Sequence, residues 1–167
     1  MRSRLLLLGA AAILCPAAAG AQPTPAESRL IAAFTTICLE HMGDAAAQRV
    51  TAAAAPWTFV TDGAPLDNGL VPYRSGSTRL GIGEALQACT LTGEMEPTVT
   101  LASFLSALTA AVGTDEGQPL DANSRYWLIA GNRDEEQVLS LKVSNETGRN
   151  LATLWVQRRA PASQRSH

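Results

Sequence analysis

Apolar residues recur at the three- and four-residue spacing of a helix face soon after the start of the chain. Residues 27–41 form the first such stretch. Thr24, Pro25 and Glu27 stand at its start in the order of a capping box with proline at the first helical position. The pattern therefore predicts a helix whose apolar face is formed by Leu30, Phe34, Ile37, Cys38 and His41.

Two further helical stretches are predicted downstream. Asp44 can cap a helix over residues 45–55, and Gly43 either separates it from the first helix or marks a bend in a single helix. The most regular apolar spacing of the chain runs through residues 101–112, with Thr98 as the expected cap and a glycine at the end.

Period-two alternation of apolar and polar residues, which is typical of strands, follows in the remaining segments. Residues 57–60 are predicted to form a short strand or an extended lead-in, and residues 61–77 a long loop, because prolines and glycines interrupt that segment. Residues 114–122 are predicted to form a polar loop. The five strands predicted with a clear pattern are 78–82, 86–92, 125–130, 137–144 and 151–157.

Together these elements predict the α+β class. We expect an antiparallel sheet of about five strands with helices packed on one face, in the order α-(α)-β-β-α-β-β-β. The last three strands are close enough in sequence to form a meander. One disulfide, argued below, would tie a helix to a strand.

The beginning of the chain has the pattern of an export signal. Arg2 and Arg4 are followed by the apolar run 5–14 and by small residues that end at Ala21, where cleavage is expected. Cys15 raises the alternative of a lipoprotein, but the large residue before it disfavours acylation. Periplasmic or secreted localisation is therefore predicted.

Removing residues 1–21 leaves one domain over 22–157 and a polar basic tail over 158–167. The signal takes two arginines with it, so the formal charge changes from −2 to about −4. An acidic body disfavours nucleic acid as a partner, since phosphate binding needs a basic surface. No second apolar run is long enough to span a membrane, so the mature chain is expected to be soluble.

The cysteine count fits an exported protein. Cys38 and Cys89 are the two cysteines that follow the predicted cleavage site, and disulfides persist outside the cytoplasm. We predict that the two are bonded. The alternative is a pair of independently buried thiols.

Catalytic and metal-binding residues are sparse. Cys38 and His41 lie one helical turn apart, which is compatible with a metal ligand pair or a Cys–His catalytic pair. An oxidised Cys38 can serve in neither role. A hydrolase that uses His41 with Ser75 or Ser77 remains as an alternative, although no nucleophile motif surrounds either serine. No cofactor, metal or catalytic residue is predicted.

Four aromatic residues are the candidate ligand or partner surface, although burial in the hydrophobic core is the favoured alternative for them. Among these, Trp155 is expected to face away from the helices, because Leu154 and Val156 form the alternating apolar pair on its strand. The four candidates are Trp57, Tyr73, Trp127 and Trp155.

From these observations we expect a small exported protein that acts as a non-catalytic binding or accessory module of the bacterial cell envelope. Its partner would be an unidentified small molecule or envelope protein. The alternatives are the secreted hydrolase based on His41 and an envelope protein that acts through self-association.

Overall fold

The computed structural model of the protein describes residues 23–54, 57–113, 115–129 and 136–159. The predicted signal segment up to Ala21 and residues 160–167 of the predicted tail lie outside these ranges. Where the chain is described, no helix has the length and apolar character needed to cross a bilayer.

The first helix, α1 (Pro25–Phe34), begins as predicted. The Thr24 hydroxyl accepts a hydrogen bond from the backbone N–H of Glu27, and the Glu27 carboxylate accepts one from the backbone N–H of Thr24. The helix continues into a π-helical turn, Thr35–Leu39. The predicted capping box is therefore confirmed. It supplies hydrogen-bond acceptors for two of the backbone N–H groups that the start of a helix leaves without a partner.

The next segment forms a second helix rather than a bend in the first. Gly43 has a left-handed backbone with φ of +80°, which ends the first helical segment. α2 (Ala45–Ala54) then begins at Asp44, whose carboxylate accepts a hydrogen bond from the N–H of Ala47 at 2.9 Å.

The third helix, α3 (Leu101–Val112), is capped by Thr100, two residues after the predicted cap. Thr98 instead lies in a turn, which the hydrogen bond from the N–H of Val99 to the carbonyl of Glu96 closes at 3.0 Å. Gly113 ends the helix in the left-handed conformation, as predicted.

The sheet has eight antiparallel strands, so the prediction of about five was too low. Its order is β1-β2-β3-β4-β8-β7-β6-β5, which joins two four-stranded meanders through the pair β4–β8. The predicted meander of the last three strands is present. The strands are β1 (Thr58–Phe59), β2 (Val71–Ser75), β3 (Thr78–Gly83), β4 (Ala88–Met95), β5 (Gln118–Asp121), β6 (Ser124–Ile129), β7 (Glu136–Glu146) and β8 (Arg149–Arg159).

Of the three strands beyond the predicted five, β1 lies within residues 57–60, which were predicted to form a short strand or an extended lead-in. The other two lie in segments where turn residues or exposed side chains hide the pattern. β1 has only two residues, both exposed. β2 contains Pro72 and lies inside the predicted loop 61–77. All four residues of β5 are exposed, so the strand has no apolar alternation. The last strand, β8, continues to Arg159, two residues past its predicted end at 157.

One face of the sheet, called the inner face here, belongs to the hydrophobic core. The strand register places Leu91 of β4 beside Leu154 of β8, and Leu154 beside Leu141 of β7. These three side chains are fully buried and belong to the same cluster as the buried residues of the three helices. Leu30 of α1 packs against Gly93 on this face, where an added Cβ atom would lie 2.8 Å from Leu30.

The disulfide between Cys38 and Cys89 is present, which confirms the predicted pairing. It joins the π-helical turn to the inner face of β4 across 51 residues of sequence, and both cysteines are 0% exposed. Because disulfides persist in oxidising compartments, the bond is compatible with an exported protein.

The opposite face of the sheet, called the outer face, carries the alternate residues of the same strands. On the two central strands these include Thr90, Thr92, Thr153 and Trp155, all half-buried. Neighbouring threonines on this face are hydrogen-bonded across the strands, with 3.1 Å between the Thr92 and Thr153 hydroxyls. The outer face of the sheet thus carries mainly polar side chains, with an aromatic side chain among them.

Candidate ligand-binding surfaces

The structure divides the four predicted aromatic residues among three environments. Tyr73 and Trp127 lie in the core, with exposures of 1% and 4%. The indole N–H of Trp127 donates a hydrogen bond to the carbonyl of Asp115 at 2.8 Å. Neither ring faces solvent, whereas Trp57 and Trp155 are half-buried and lie at two separate surface depressions.

Tyr73 is buried with its polar hydroxyl group. Its ring packs against that of Phe59, with 4.6 Å between the ring centroids. Within the described residues its hydroxyl is buried and has no hydrogen-bond partner. Burial raises the pKa of this hydroxyl above its ordinary value of 10.0, while the nearby charge of Arg49 opposes the rise.

Trp155 lies on the outer face at the end of a three-residue row that crosses three strands. It pairs with Ser140 of β7, and Ser140 pairs with Tyr126 of β6. All three side chains are half-buried. The row therefore sets an aromatic residue on each side of a small hydroxyl-bearing residue.

A groove of about 550 Å³ runs along this row, and is called the aromatic groove here. One side is formed by Leu120, which is 68% exposed on the edge strand β5. The next row of the outer face adds Val138 and Gln157, which pair with each other across β7 and β8. The groove thus combines apolar walls with the hydroxyls of Tyr126 and Ser140 and the amide of Gln157, as small-molecule sites commonly do.

Trp57 lies at a different depression, a cleft of about 380 Å³ between α1 and the end of the sheet, called the Trp57 cleft here. Because Thr58 pairs with Arg74, the chain brings Trp57 beside the end of β2. Ser75 and Ser77, at the turn between β2 and β3, line the same cleft.

The remaining lining of the Trp57 cleft is both apolar and charged. Leu30 and Met95, which are 3% and 5% exposed, belong to the core and line the cleft. Arg29 of α1 and Glu94 of β4 are exposed and line it as well. Arg29 thus supplies a cation to the cleft, whereas the side chain of Glu94 shares the outer face with Thr92 and also lines a depression there with Arg79 and Arg149.

The structure gives no geometric support to the hydrolase alternative. Ser75 and Ser77 share the Trp57 cleft, but His41 does not line it. In the described ranges no hydrogen bond joins His41 to either serine. Nor do three or more His, Cys, Asp or Glu side chains come together there as a metal site.

Comparison of the chain with models of protein families, with curated proteins and with solved structures finds no match. Function has to be inferred from the surfaces themselves.

Several residues of these surfaces were not candidates from the sequence. Tyr126, Ser140 and Gln157 join Trp155 only through the strand register, which the alternation of single strands does not give. Arg29 of α1 was not a candidate either. If the pairing of β6, β7 and β8 had been known, it would have placed Tyr126, Ser140 and Gln157 beside Trp155.

Proposed function

We propose that this protein is a non-catalytic binding module of the bacterial cell envelope, and that it binds a sugar ring of a glycan in the aromatic groove. The observation that carries the proposal is the row Tyr126–Ser140–Trp155 on the outer face. The row places one aromatic side chain on each side of a short polar one, in a groove of about 550 Å³.

The spacing of the row fits a ring. Neighbouring strands lie about 4.8 Å apart, so the β-carbons of Tyr126 and Trp155 are separated by roughly 10 Å. Carbon atoms contact each other best at about 3.5–4.0 Å, which leaves room for one saccharide ring between the two aromatic side chains. Antiparallel sheets are also used elsewhere as binding surfaces for oligosaccharides.

The chemistry of the groove fits a sugar better than a purely apolar ligand. A pyranose ring has apolar C–H faces and hydroxyl groups around its rim. The aromatic side chains would contact the C–H faces, while the Ser140 hydroxyl and the Gln157 amide can exchange hydrogen bonds with the rim. Trp and Tyr provide such contact area at a small cost in side-chain entropy.

The lining favours binding over cleavage. Glycoside hydrolysis ordinarily needs two carboxylic acids that flank the scissile bond. The described lining of the aromatic groove consists of two apolar, two aromatic, one hydroxyl and one amide side chain, and none of these is acidic. A bound sugar would therefore be held without being hydrolysed.

The location in the envelope rests on two features. The sequence predicts a signal cleaved after Ala21, and the Cys38–Cys89 disulfide is of the kind that persists in oxidising compartments. Glycans are abundant in the bacterial envelope, so the proposed ligand and the proposed location agree.

The proposal is tested by titrating the mature protein with chitotriose, a soluble N-acetylglucosamine trimer, and with maltotriose in a calorimeter. We expect binding of at least one of them, and a loss of more than tenfold in affinity for Trp155→Leu. Trp57→Leu is the matched control, since it removes an indole outside the groove and should leave the affinity unchanged. Absence of binding by both sugars at millimolar concentration, or equal losses in the two variants, would refute the proposal.

A further inference from the structure

The Trp57 cleft has no lining residue in common with the aromatic groove. We propose that it is a second binding site, for a small monocarboxylic acid that carries an apolar group. The carboxylate of the ligand contacts Arg29, and its apolar group lies against Trp57. The proposal concerns a different surface from the one assigned to the sugar and does not depend on it.

One wall of the cleft is a stripe of α1 at helical spacing, formed by Ala26, Arg29, Leu30 and Ala33. Leu30 marks the edge of the stripe that faces the core, since it is 3% exposed. Arg29 is exposed and marks the opposite edge. The two alanines lie between these edges and, because their side chains are small, leave room for a ligand. The wall thus changes from an apolar floor to a cationic rim across one helical face.

The opposite wall is formed by hydroxyl-bearing residues on the inner face of the sheet. Ser75 of β2 is paired with Thr78 of β3, and both side chains are half-buried. They lie on the same face as Tyr73 and Leu80, the buried residues two positions away on each strand. Among the described residues neither hydroxyl has a hydrogen-bond partner. Two hydroxyl donors are thus available to a carboxylate at this wall.

The charge that the cleft offers to a ligand is that of Arg29. In the described ranges its guanidinium forms no ion pair and no hydrogen bond with another side chain. Glu94 also borders the cleft, but the alternation of β4 places it on the outer face with Thr92. On that face it lines a separate depression with Arg79 and Arg149. The carboxylate of Glu94 therefore belongs to the outer face, and the charge of Arg29 is available to a ligand.

The floor of the cleft accounts for the apolar group of the ligand. Leu30 and Met95 are fixed by the core, with exposures of 3% and 5%, and the half-buried Trp57 packs against the same core. An aromatic or branched group that covers the indole removes apolar surface from water, which favours binding. The cleft volume of about 380 Å³ lies within the range of small-molecule sites.

These features select a carboxylic acid over related ligands. A planar guanidinium binds a carboxylate through two parallel hydrogen bonds, and the hydroxyls of the opposite wall can donate to the same oxygens. An amine would be repelled by Arg29. A neutral apolar molecule would use Trp57 but leave the cation without a partner. A small inorganic anion would use the cation but leave the apolar floor in contact with water.

The test titrates four ligands into the ¹⁵N-labelled mature protein and follows the indole N–H resonances. 3-Phenylpropionate has both features, 3-phenylpropionamide lacks the charge, 3-phenylpropylamine reverses it, and acetate lacks the apolar group. We expect 3-phenylpropionate to shift the Trp57 resonance, assigned from its loss in Trp57→Leu, progressively and to saturation, while Trp155 holds its position. The amide should bind about tenfold more weakly. The amine and acetate should not bind measurably.

Three variants assign the contacts. Arg29→Gln should weaken 3-phenylpropionate about tenfold and leave 3-phenylpropionamide unchanged, because the amide has no charge to lose a partner. Thr78→Val, which replaces the hydroxyl with a methyl group of similar shape, should weaken the acid about threefold. Arg74→Gln, at an exposed arginine on the outer face of β2, is the matched control. Arg29 and Arg74 are both exposed, so neither change should lower the melting temperature.

The proposal is overturned if 3-phenylpropionate does not bind, if the acid and the amide bind equally, or if Arg29→Gln weakens the acid no more than Arg74→Gln does. It is also overturned if the acid shifts Trp155 instead of Trp57. Glu94→Gln tests the placement of the second charge, and should change the affinity for the acid less than about twofold. A gain of about tenfold in that variant would place the Glu94 carboxylate in the cleft and contradict a site with one cation.

Discussion

Glu27 and Ser103, each the third residue of its helix, meet where α1 and α3 begin. The Ser103 hydroxyl donates a hydrogen bond to the Glu27 carboxylate, with 3.4 Å between Oγ and Oε1. The same carboxylate accepts the N–H of Thr24 at 2.6 Å, and the side chain of Glu27 is 1% exposed. A buried acid is tolerated here because it completes one capping box and contacts a residue of the other.

This arrangement predicts that Glu27→Ala lowers the free energy of unfolding by about 2 kcal/mol, since it removes the acceptor of the partly buried Thr24 N–H. Glu27→Gln keeps an oxygen acceptor and should cost about half as much. Ser28→Ala, an exposed change one residue away, is the control. Urea denaturation measures the three values, and a loss below 0.5 kcal/mol (roughly the scatter of neutral surface changes) for Glu27→Ala would contradict the role.

The disulfide predicts that replacing either of its two cysteines lowers the free energy of unfolding by a similar amount. Closing a loop of 51 residues stabilises the folded state by about 4 kcal/mol in the chain-entropy model. Cys38→Ala and Cys89→Ala open the same loop, and both cysteines are fully buried, so their losses should be similar. Denaturation gives the stabilities, and mass measurement after alkylation should find no free thiol before reduction. Clearly unequal losses or two alkylated thiols would contradict the shared bond.

Gly117 is predicted to tolerate replacement less well than Gly148, the other glycine that the structure describes in the second meander. Its φ is +69°, and a Cβ atom added there would lie 2.5 Å from the Trp127 indole. Gly148 has a similar φ of +78° but no neighbour within 4 Å. Gly117→Ala should therefore cost roughly 3 kcal/mol and Gly148→Ala about 1 kcal/mol, the difference being steric. Thermal unfolding compares the two variants, and equal losses would show that backbone strain alone matters.

The buried hydroxyl of Tyr73 predicts that the stability of the folded protein depends on pH in the alkaline range. Its pKa is raised in the folded state by burial, so the folded protein holds this proton more tightly than the unfolded chain does. The stability that follows is complete below the ordinary pKa of 10.0 and is lost as the pH rises beyond it.

Tyr73→Phe removes both the titration and a buried hydroxyl without a partner among the described residues. We expect it to match or exceed the wild type in stability at neutral pH, by up to about 1 kcal/mol, and to lose less stability above pH 10. Tyr126→Phe, on the outer face, should follow the wild type. Denaturant unfolding at a series of pH values measures how steeply the free energy of unfolding falls with pH. An equal fall above pH 10 in the wild type and in Tyr73→Phe would contradict the prediction.

The helices and the disulfide could be predicted from the sequence because their signals are local. Thr24, Glu27 and Gly113 act within one helical turn of the ends that they define. The two cysteines were the sole pair after the predicted signal. Cys38 also falls on the apolar face of its helix, as a residue bonded to the inner face of the sheet must.

The missing strands and most of the site could not be predicted because their causes are not local. β2 alternates through Val71 and Tyr73, but Pro72 between them suggested a loop. β5 is held by pairing with β6 and carries no apolar pattern of its own. The row Tyr126–Ser140–Trp155 exists only once three strands have aligned in register, so the outward position of Trp155 was inferred whereas its neighbours were not.

The central claim is that the aromatic groove binds a sugar ring beside Trp155. The most direct measurement is a titration of the ¹⁵N-labelled mature protein with chitotriose, followed through the indole N–H resonances of Trp57, Trp127 and Trp155. We predict that the Trp155 resonance, assigned from its loss in Trp155→Leu, shifts progressively and saturates, while the other two hold their positions. No shift at millimolar chitotriose, or a shift of Trp57 or Trp127 without Trp155, would contradict the claim.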